Sequence, residues 1–317
     1  MLAFMFMFAG CDANTDDTKQ NALVLTGAYN GGDNALSLKF VDGQPPSKIR
    51  DGGLQPFNIR MLIENLGEYT IPENKTHVCL SGINHKEFGI EDSSLDIPEL
   101  RGVKKQGTNT INGAILPVLF SNLKYYPELP AGTNKQKILV DLSYPYKTKA
   151  LISLCVSGNT LQTQDKTLKV CEIEGKRTFA NSGSPVQINN VIQTPAGPNS
   201  LMLQFDIIKK SKSGRIYRPS TLDEECRVLG NSVASSEASM SENYVEYIVD
   251  TNGVGSISCG GSNQNSEVVL LTNSKTTVYC TIDTKGEQDY EKPISVELNY
   301  DYFERFELSV DIEHVAR

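Results

Sequence analysis

Seven cysteines and three histidines are the residues of this 317-residue sequence with the most obvious chemical potential. Their spacing does not assemble a reaction centre. No Cys-x-x-Cys pair occurs, so neither a zinc site nor a dithiol redox motif is indicated. His77, His85 and His314 have neither the i, i+4 spacing of helical zinc ligands nor cysteines at ligand distance along the chain, and they read as surface or capping histidines. No Gly-x-Ser-x-Gly elbow is present to expose a nucleophilic serine. Gly253-Val254-Gly255 lacks both the third glycine and the following helix of a phosphate-binding loop, and reads as a hairpin turn. The expectation is a chain with no catalytic residue, no metal ligand and no cofactor.

Oxygen-rich clusters come next. Glu91-Asp92-Ser93-Ser94 with Asp96, and Asp223-Glu224-Glu225, could contribute to calcium binding, which needs six to eight converging oxygens. Without an EF-hand spacing, solvated loop charge is the plainer reading. Asn74-Lys75-Thr76 is a glycosylation sequon on a turn, with Asn74 as the candidate acceptor. Tyr125-Tyr126 and the pairs Tyr144/Tyr146 and Tyr300/Tyr302 could stack on sugars. Both rings of a Tyr-x-Tyr pair share one strand face, however, and tryptophan is absent, which favours packing.

The elements that position these residues follow a repeat. Residues 138–156 and 294–312 superpose at an offset of 156 (294 − 138). Ile138, Val140, Leu142, Tyr144 and Tyr146 meet Ile294, Val296, Leu298, Tyr300 and Tyr302, and Asp141 meets Glu297. Each copy alternates apolar and polar with period two, as a half-buried strand does. Polar residues between two such runs predict two neighbouring antiparallel strands in each copy, or one long bent pair. Leu36, Leu38 and Phe40 alternate likewise, as do Phe57–Ile63 and Leu201–Ile207. Gly214 to Pro219 repeats the spacing of Gly67 to Pro72, which supports a duplication independently. A single helical turn is expected near Leu95–Leu100.

About seven short strands per copy predict an all-β chain of two tandem β-sandwiches. The expected divisions are an N-terminal segment and tether at 1–21, a first sandwich at 22–157, a polar connector at 158–183 and a second sandwich at 184–317. A formal net charge of −8 and an isoelectric point near 5.1 argue against nucleic acid or an anionic membrane as main partner. No apolar run approaches the ~18 residues of a membrane helix.

The N-terminus, an apolar run ending Phe8-Ala9-Gly10-Cys11 and followed by the polar stretch Asp12–Asn21, resembles a lipoprotein signal. The resemblance makes Cys11 the lipidation candidate and implies membrane attachment through the N-terminus. Six cysteines then remain, an even number suited to an oxidising compartment. Cys155 with Cys171 and Cys259 with Cys280 are the expected bridges. Cys79 and Cys226 could pair between domains, pair between chains, or stay free.

Pro56-Phe57-Asn58-Ile59-Arg60 through Ile63-Glu64-Asn65-Leu66-Gly67 resembles the second strand of CARDB-type immunoglobulin-like domains of bacterial and archaeal surface proteins. The second half keeps only the glycine of Lys210-Ser-Lys-Ser-Gly214. The resemblance implies extracellular immunoglobulin-like modules used in adhesion, display or assembly, and carries over no catalytic residue.

The function expected is therefore a non-catalytic structural protein of the cell envelope, a surface-layer or filament subunit that self-associates or contacts other envelope proteins. Assembly would use strand edges, including the segment Ala22, Leu23, Val24 and Leu25 and the closing repeat strands. The alternative is a lipid-anchored adhesin or ligand-binding lipoprotein using the loops 84–112 and 231–243.

Overall fold

The structure is a computed structural model that describes residues 25, 27–158, 171–223, 226, 241–261, 264–284 and 289–316. Among these the chain is all-β, and a four-residue helix is described from end to end. The first repeat contributes a three-stranded sheet, β1 (Leu36–Phe40), β3 (Phe57–Asn65) and β8 (Ile115–Leu123), with β3 central. The second contributes a five-stranded sheet in the order β10 (Gly175–Lys176), β12 (Val186–Gly197), β13 (Ser200–Lys209), β18 (Lys275–Thr284) and β16 (Gly255–Cys259). Phe57, Ile59, Met61 and Ile63 of β3, and Leu201, Leu203, Phe205 and Ile207 of β13, are the buried faces that their alternation predicts.

The remaining large sheet joins both repeats. Its main path is β17 (Ser266–Leu270), β15 (Tyr244–Asp250), β19 (Tyr290–Glu313), β9 (Thr133–Val156), β4 (Thr76–Ser81) and β5 (Ser94–Ile97). Three short strands, β2 (Lys48–Arg50), β11 (Phe179–Asn181) and β14 (Arg215–Tyr217), attach to β9 or β19. A separate ribbon pairs β6 (Lys104–Gln106) with β7 (Asn109–Ile111). The stretch expected to be a plain connector thus supplies β10 and β11.

The repeat segments are not two hairpins. Each is one continuous strand of 24 residues, and the two pair with each other antiparallel from Tyr290↔Val156 to Glu313↔Thr133. The reason is local: neither segment contains a glycine that could turn the chain. The alternation also runs on without a break, with Tyr144, Tyr146, Thr148 and Ala150 buried and Lys147 and Lys149 turned outward.

Each long strand therefore serves both halves of the molecule. The first part of β9 pairs with β4 on one side and with the second part of β19 on the other. The first part of β19 pairs with β15 on one side and with the second part of β9 on the other. Each repeat lends its final strand segment to the other, and one buried apolar cluster runs through both repeats. The closing strands lie inside the sheet, so their backbone groups are paired within the chain rather than presented at an edge.

Two further local readings differ from expectation. The helical turn lies at α1 (His85–Phe88), not at 95–100. Asn84 caps it by accepting from the Lys86 amide, and Gly89 ends it at φ 62°. Ser94–Ile97 is instead drawn into the sheet against β4, with Leu95 opposite Val78. Ala22, Leu23 and Val24 lie outside the described residues, whereas Leu25 is buried in the protein.

Three disulfides tie the fold: Cys155–Cys171, Cys259–Cys280 and Cys79–Cys226. The first two close short separations of 16 and 21 residues. The third spans 147 residues and joins β4 of the first repeat to a segment of the second. It packs with Tyr217 and Phe303. Three disulfides fit a secreted or extracellular protein. No helix among the described residues is long and apolar enough to cross a membrane.

Candidate functional site

The crossing of β9 and β19 is centred on four tyrosines. Pro145 faces Asp301 across the ladder, and these are the same repeat position (145 + 156 = 301). Around this point Tyr144, Tyr146, Tyr300 and Tyr302 form a closed ring of aromatics. Centroid separations are 6.1 Å (144–146), 6.1 Å (146–300), 6.4 Å (300–302) and 5.7 Å (302–144). All four are buried. Their hydroxyls are not orphaned. Tyr146 donates to the Gly183 carbonyl at 3.0 Å, Tyr302 to the Ser213 carbonyl at 2.6 Å, and Tyr300 shares a 3.2 Å bond with Thr148. Burial pushes the Tyr302 phenol up to about 12 and holds Tyr144, Tyr146 and Tyr300 higher still. These rings are packing elements, not a sugar platform.

Beside this ring, on the outward side of β9, lies an open depression of about 430 Å³. Its walls come from the first repeat and from Ser182 in the stretch that joins the repeats. Ala28 and Tyr29 precede β1, Glu68, Tyr69 and Thr70 follow β3, Lys104 and Lys105 lie on β6, Lys147 and Lys149 on β9, and Ser182 after β11. Strand alternation fixes two of the lysines: Tyr146 and Thr148 point inward, so Lys147 and Lys149 must point out.

The walls are braced. Glu68 accepts backbone N–H bonds from Asn30 (3.0 Å), Gly31 (3.1 Å) and Gly183 (2.7 Å). Tyr69 is held edge-on to Tyr146, centroids 5.4 Å apart. Lys105 donates to the Tyr29 carbonyl at 3.3 Å, and Thr110 to the Asn30 side chain at 2.9 Å. Behind the wall, a Cβ on Gly102 would lie 2.7 Å from the Glu68 backbone, and one on Gly183 2.6 Å from the Gly31 carbonyl.

Charge in the depression is unbalanced. Lys147 pairs with Glu297 at 2.8 Å, which raises its pKa, and Glu68 is committed to backbone amides. Lys104 and Lys149 carry no ionic partner among the described residues. Burial raises the phenol pKa of both Tyr69 and Tyr29, with Glu68 adding to the effect at Tyr29, so both remain hydrogen-bond donors at neutral pH. Sequence reading missed this site because its lysines come from two distant stretches that each read as ordinary solvated charge.

The other candidates are scattered. His77 bonds Asp96 at 2.7 Å, His85 the Leu80 carbonyl at 3.1 Å, and His314 Asp51 at 2.8 Å. His314 and the amides of Leu129 and Val315 draw the Asp51 carboxyl down to about 2. Asp96 of the first acidic cluster is thus engaged by a histidine, and Glu224 and Glu225 of the second lie outside the described residues. Among the described residues, no three His, Cys, Asp or Glu side chains gather as metal ligands would. Asn74 is exposed, at φ 58°, while Thr76 of the same sequon is buried. Tyr125 is buried and Tyr126 exposed. Gly253 sits in a turn, and Gly255 packs against the Asp283 backbone in the β16–β18 ladder. Cys11, and residues 231–240 of the expected second loop, lie outside the described residues.

Compared with known proteins, the sequence matches no family profile and no curated protein. Among solved structures, it is similar to the secreted serine protease VesC from Vibrio cholerae at 11% identity and a TM-score of 0.19. That match covers 85% of this chain and 50% of the protease, so the chain spans about half its length. A TM-score of that size carries no argument about fold or activity.

Proposed function

We propose that this chain is a non-catalytic structural protein of the extracellular cell envelope, a stiff double sandwich that self-associates through a strand edge. The observation that carries the reading is the reciprocal exchange of β9 and β19. At ~3.3 Å per residue, a 24-residue strand runs about 80 Å. Two such strands, paired throughout, with Cys79–Cys226 tying the neighbouring β4 to a segment of the second repeat, stiffen the seam.

The contact surface is the outer face of β3 and β8. There Leu62, Ile115 and Leu119 are 41%, 56% and 39% exposed, and Leu62 lies directly opposite Pro117. β8 ends its sheet, so its outer backbone groups are available to another strand on either side of Pro117. The occupant proposed is a second copy of this chain, which has the same apolar edge to cover.

Negative-stain imaging and intact mass of native cell-surface material test the reading. Ordered filaments or sheets that are lost on Leu119→Lys support it. Single particles carrying a lipid-modified Cys11, unchanged by Leu119→Lys, overturn it. They favour the second reading, a lipid-anchored binding protein, whose specific support is the lysine-lined depression at the seam.

A further inference from the structure

The strongest unassigned feature is the seam depression, and its chemistry selects a class of ligand. It combines a rigid aromatic wall, two phenol donors and two ammonium groups with no ionic partner among the described residues, in a chain whose formal net charge is −8. A local cationic excess against that background favours a negative group. The volume, about 430 Å³, lies within the ~300–1,000 Å³ of small-ligand sites. The walls are formed before any ligand arrives, because Glu68, Tyr69 and the ribbon of β6 and β7 are each held by contacts behind the surface. That lowers the ordering cost of binding.

We propose that this depression binds an acidic sugar residue, with its carboxylate between Lys104 and Lys149 and its ring against Tyr69. Tyr29 and Tyr69 donate to ring hydroxyls, and the Tyr69 face takes the apolar side of the ring. A bare inorganic anion would use the lysines and leave the aromatic wall idle. A neutral sugar would use the wall and leave the two charges uncompensated. Only a ligand carrying both a ring and a carboxylate uses both halves of the site. The inference does not depend on self-assembly, because the depression and the outer face of β3 and β8 share no residue.

Calorimetric titration of the full chain tests it, with cellobiuronate as probe and cellobiose and inorganic phosphate as controls. The expected result is saturable binding of cellobiuronate, at least about tenfold tighter than either control and weakened by salt. The double variant Lys104→Gln/Lys149→Gln should lose about tenfold or more in affinity with unchanged melting, since both side chains are exposed. Tyr69→Leu should weaken cellobiuronate but not phosphate. Absence of binding, equal binding of cellobiose or phosphate, or full affinity in the double glutamine variant would each overturn the assignment.

Discussion

Tyr146 and Tyr302, the second tyrosines of the two repeats, each rest on a glycine at an equivalent place, Gly67 and Gly214. A Cβ at Gly67 would lie 1.9 Å from the Tyr146 hydroxyl, and one at Gly214 would lie 2.6 Å from the Tyr302 ring. The two halves share not only a strand pattern but a specific contact, in which a turn glycine presses on the aromatic centre of the seam.

Gly67→Ala and Gly214→Ala should therefore each destabilise the protein by about 3 kcal/mol. Gly214→Ala carries additional backbone strain, because Gly214 has φ +71°. Gly132→Ala is the control: its φ is +76° but nothing lies within 4 Å of the added methyl, so only the backbone cost of about 1 kcal/mol applies. Urea unfolding curves of the three variants measure the difference. Equal losses at all three sites would mean that the tyrosine contact contributes nothing.

The tyrosine ring also predicts an alkaline limit. Its four phenols have folded pKa values raised by burial, Tyr302 to about 12. In the unfolded chain they ionise near 10. The stabilisation is fully present below pH ~10 and is lost as pH rises from there through the folded values, at about 1.4 kcal/mol per pH unit for each phenol. Tyrosinate absorbance should rise together with loss of β circular dichroism, in one steep transition. Gradual ionisation of all thirteen tyrosines before unfolding would contradict the buried ring.

Asp141 and Arg305 face each other across the exchanged strands and form a bidentate pair at 2.6 and 2.8 Å. The carboxylate is buried while the guanidinium is 44% exposed, so solvent screens part of the interaction. Arg305→Met should cost about 1–2 kcal/mol. Asp141→Asn in the same background should add less than it costs alone, as a double-mutant cycle would show. Full additivity would mean that the two are not coupled.

Of the three disulfides, Cys79–Cys226 closes the longest loop. On loop entropy its removal should be the most costly, about 5 kcal/mol against about 3 for either short bridge. Thermal unfolding of paired Cys→Ala variants checks the order. A smaller loss for the long bridge would place the seam's stability in strand pairing instead.

Much of this architecture could be read from the sequence because it is local. The alternation at Phe57–Ile63 and Leu201–Ile207 specifies which face is buried, and the offset repeat marks the duplication. The closely spaced cysteine pairs could be picked out for the same reason. What could not be read is the choice of partner over distance. Whether residues 138–156 fold back on themselves or run straight into the other half depends on what lies opposite, and polar Lys147-Thr148-Lys149 fits either outcome. Cys79–Cys226 and the seam depression follow from that choice, so neither leaves a mark in any one stretch of sequence.

The most direct test of the strand exchange is zero-length carbodiimide cross-linking of the native monomer, read by peptide mass spectrometry. Lys137 lies 2.8 Å from Glu307, and Lys147 2.8 Å from Glu297. The exchange predicts both amide cross-links within one chain. If both are missing and Lys292 is instead joined to Asp311 or Glu313, the second repeat folds back as its own hairpin and the exchange is contradicted.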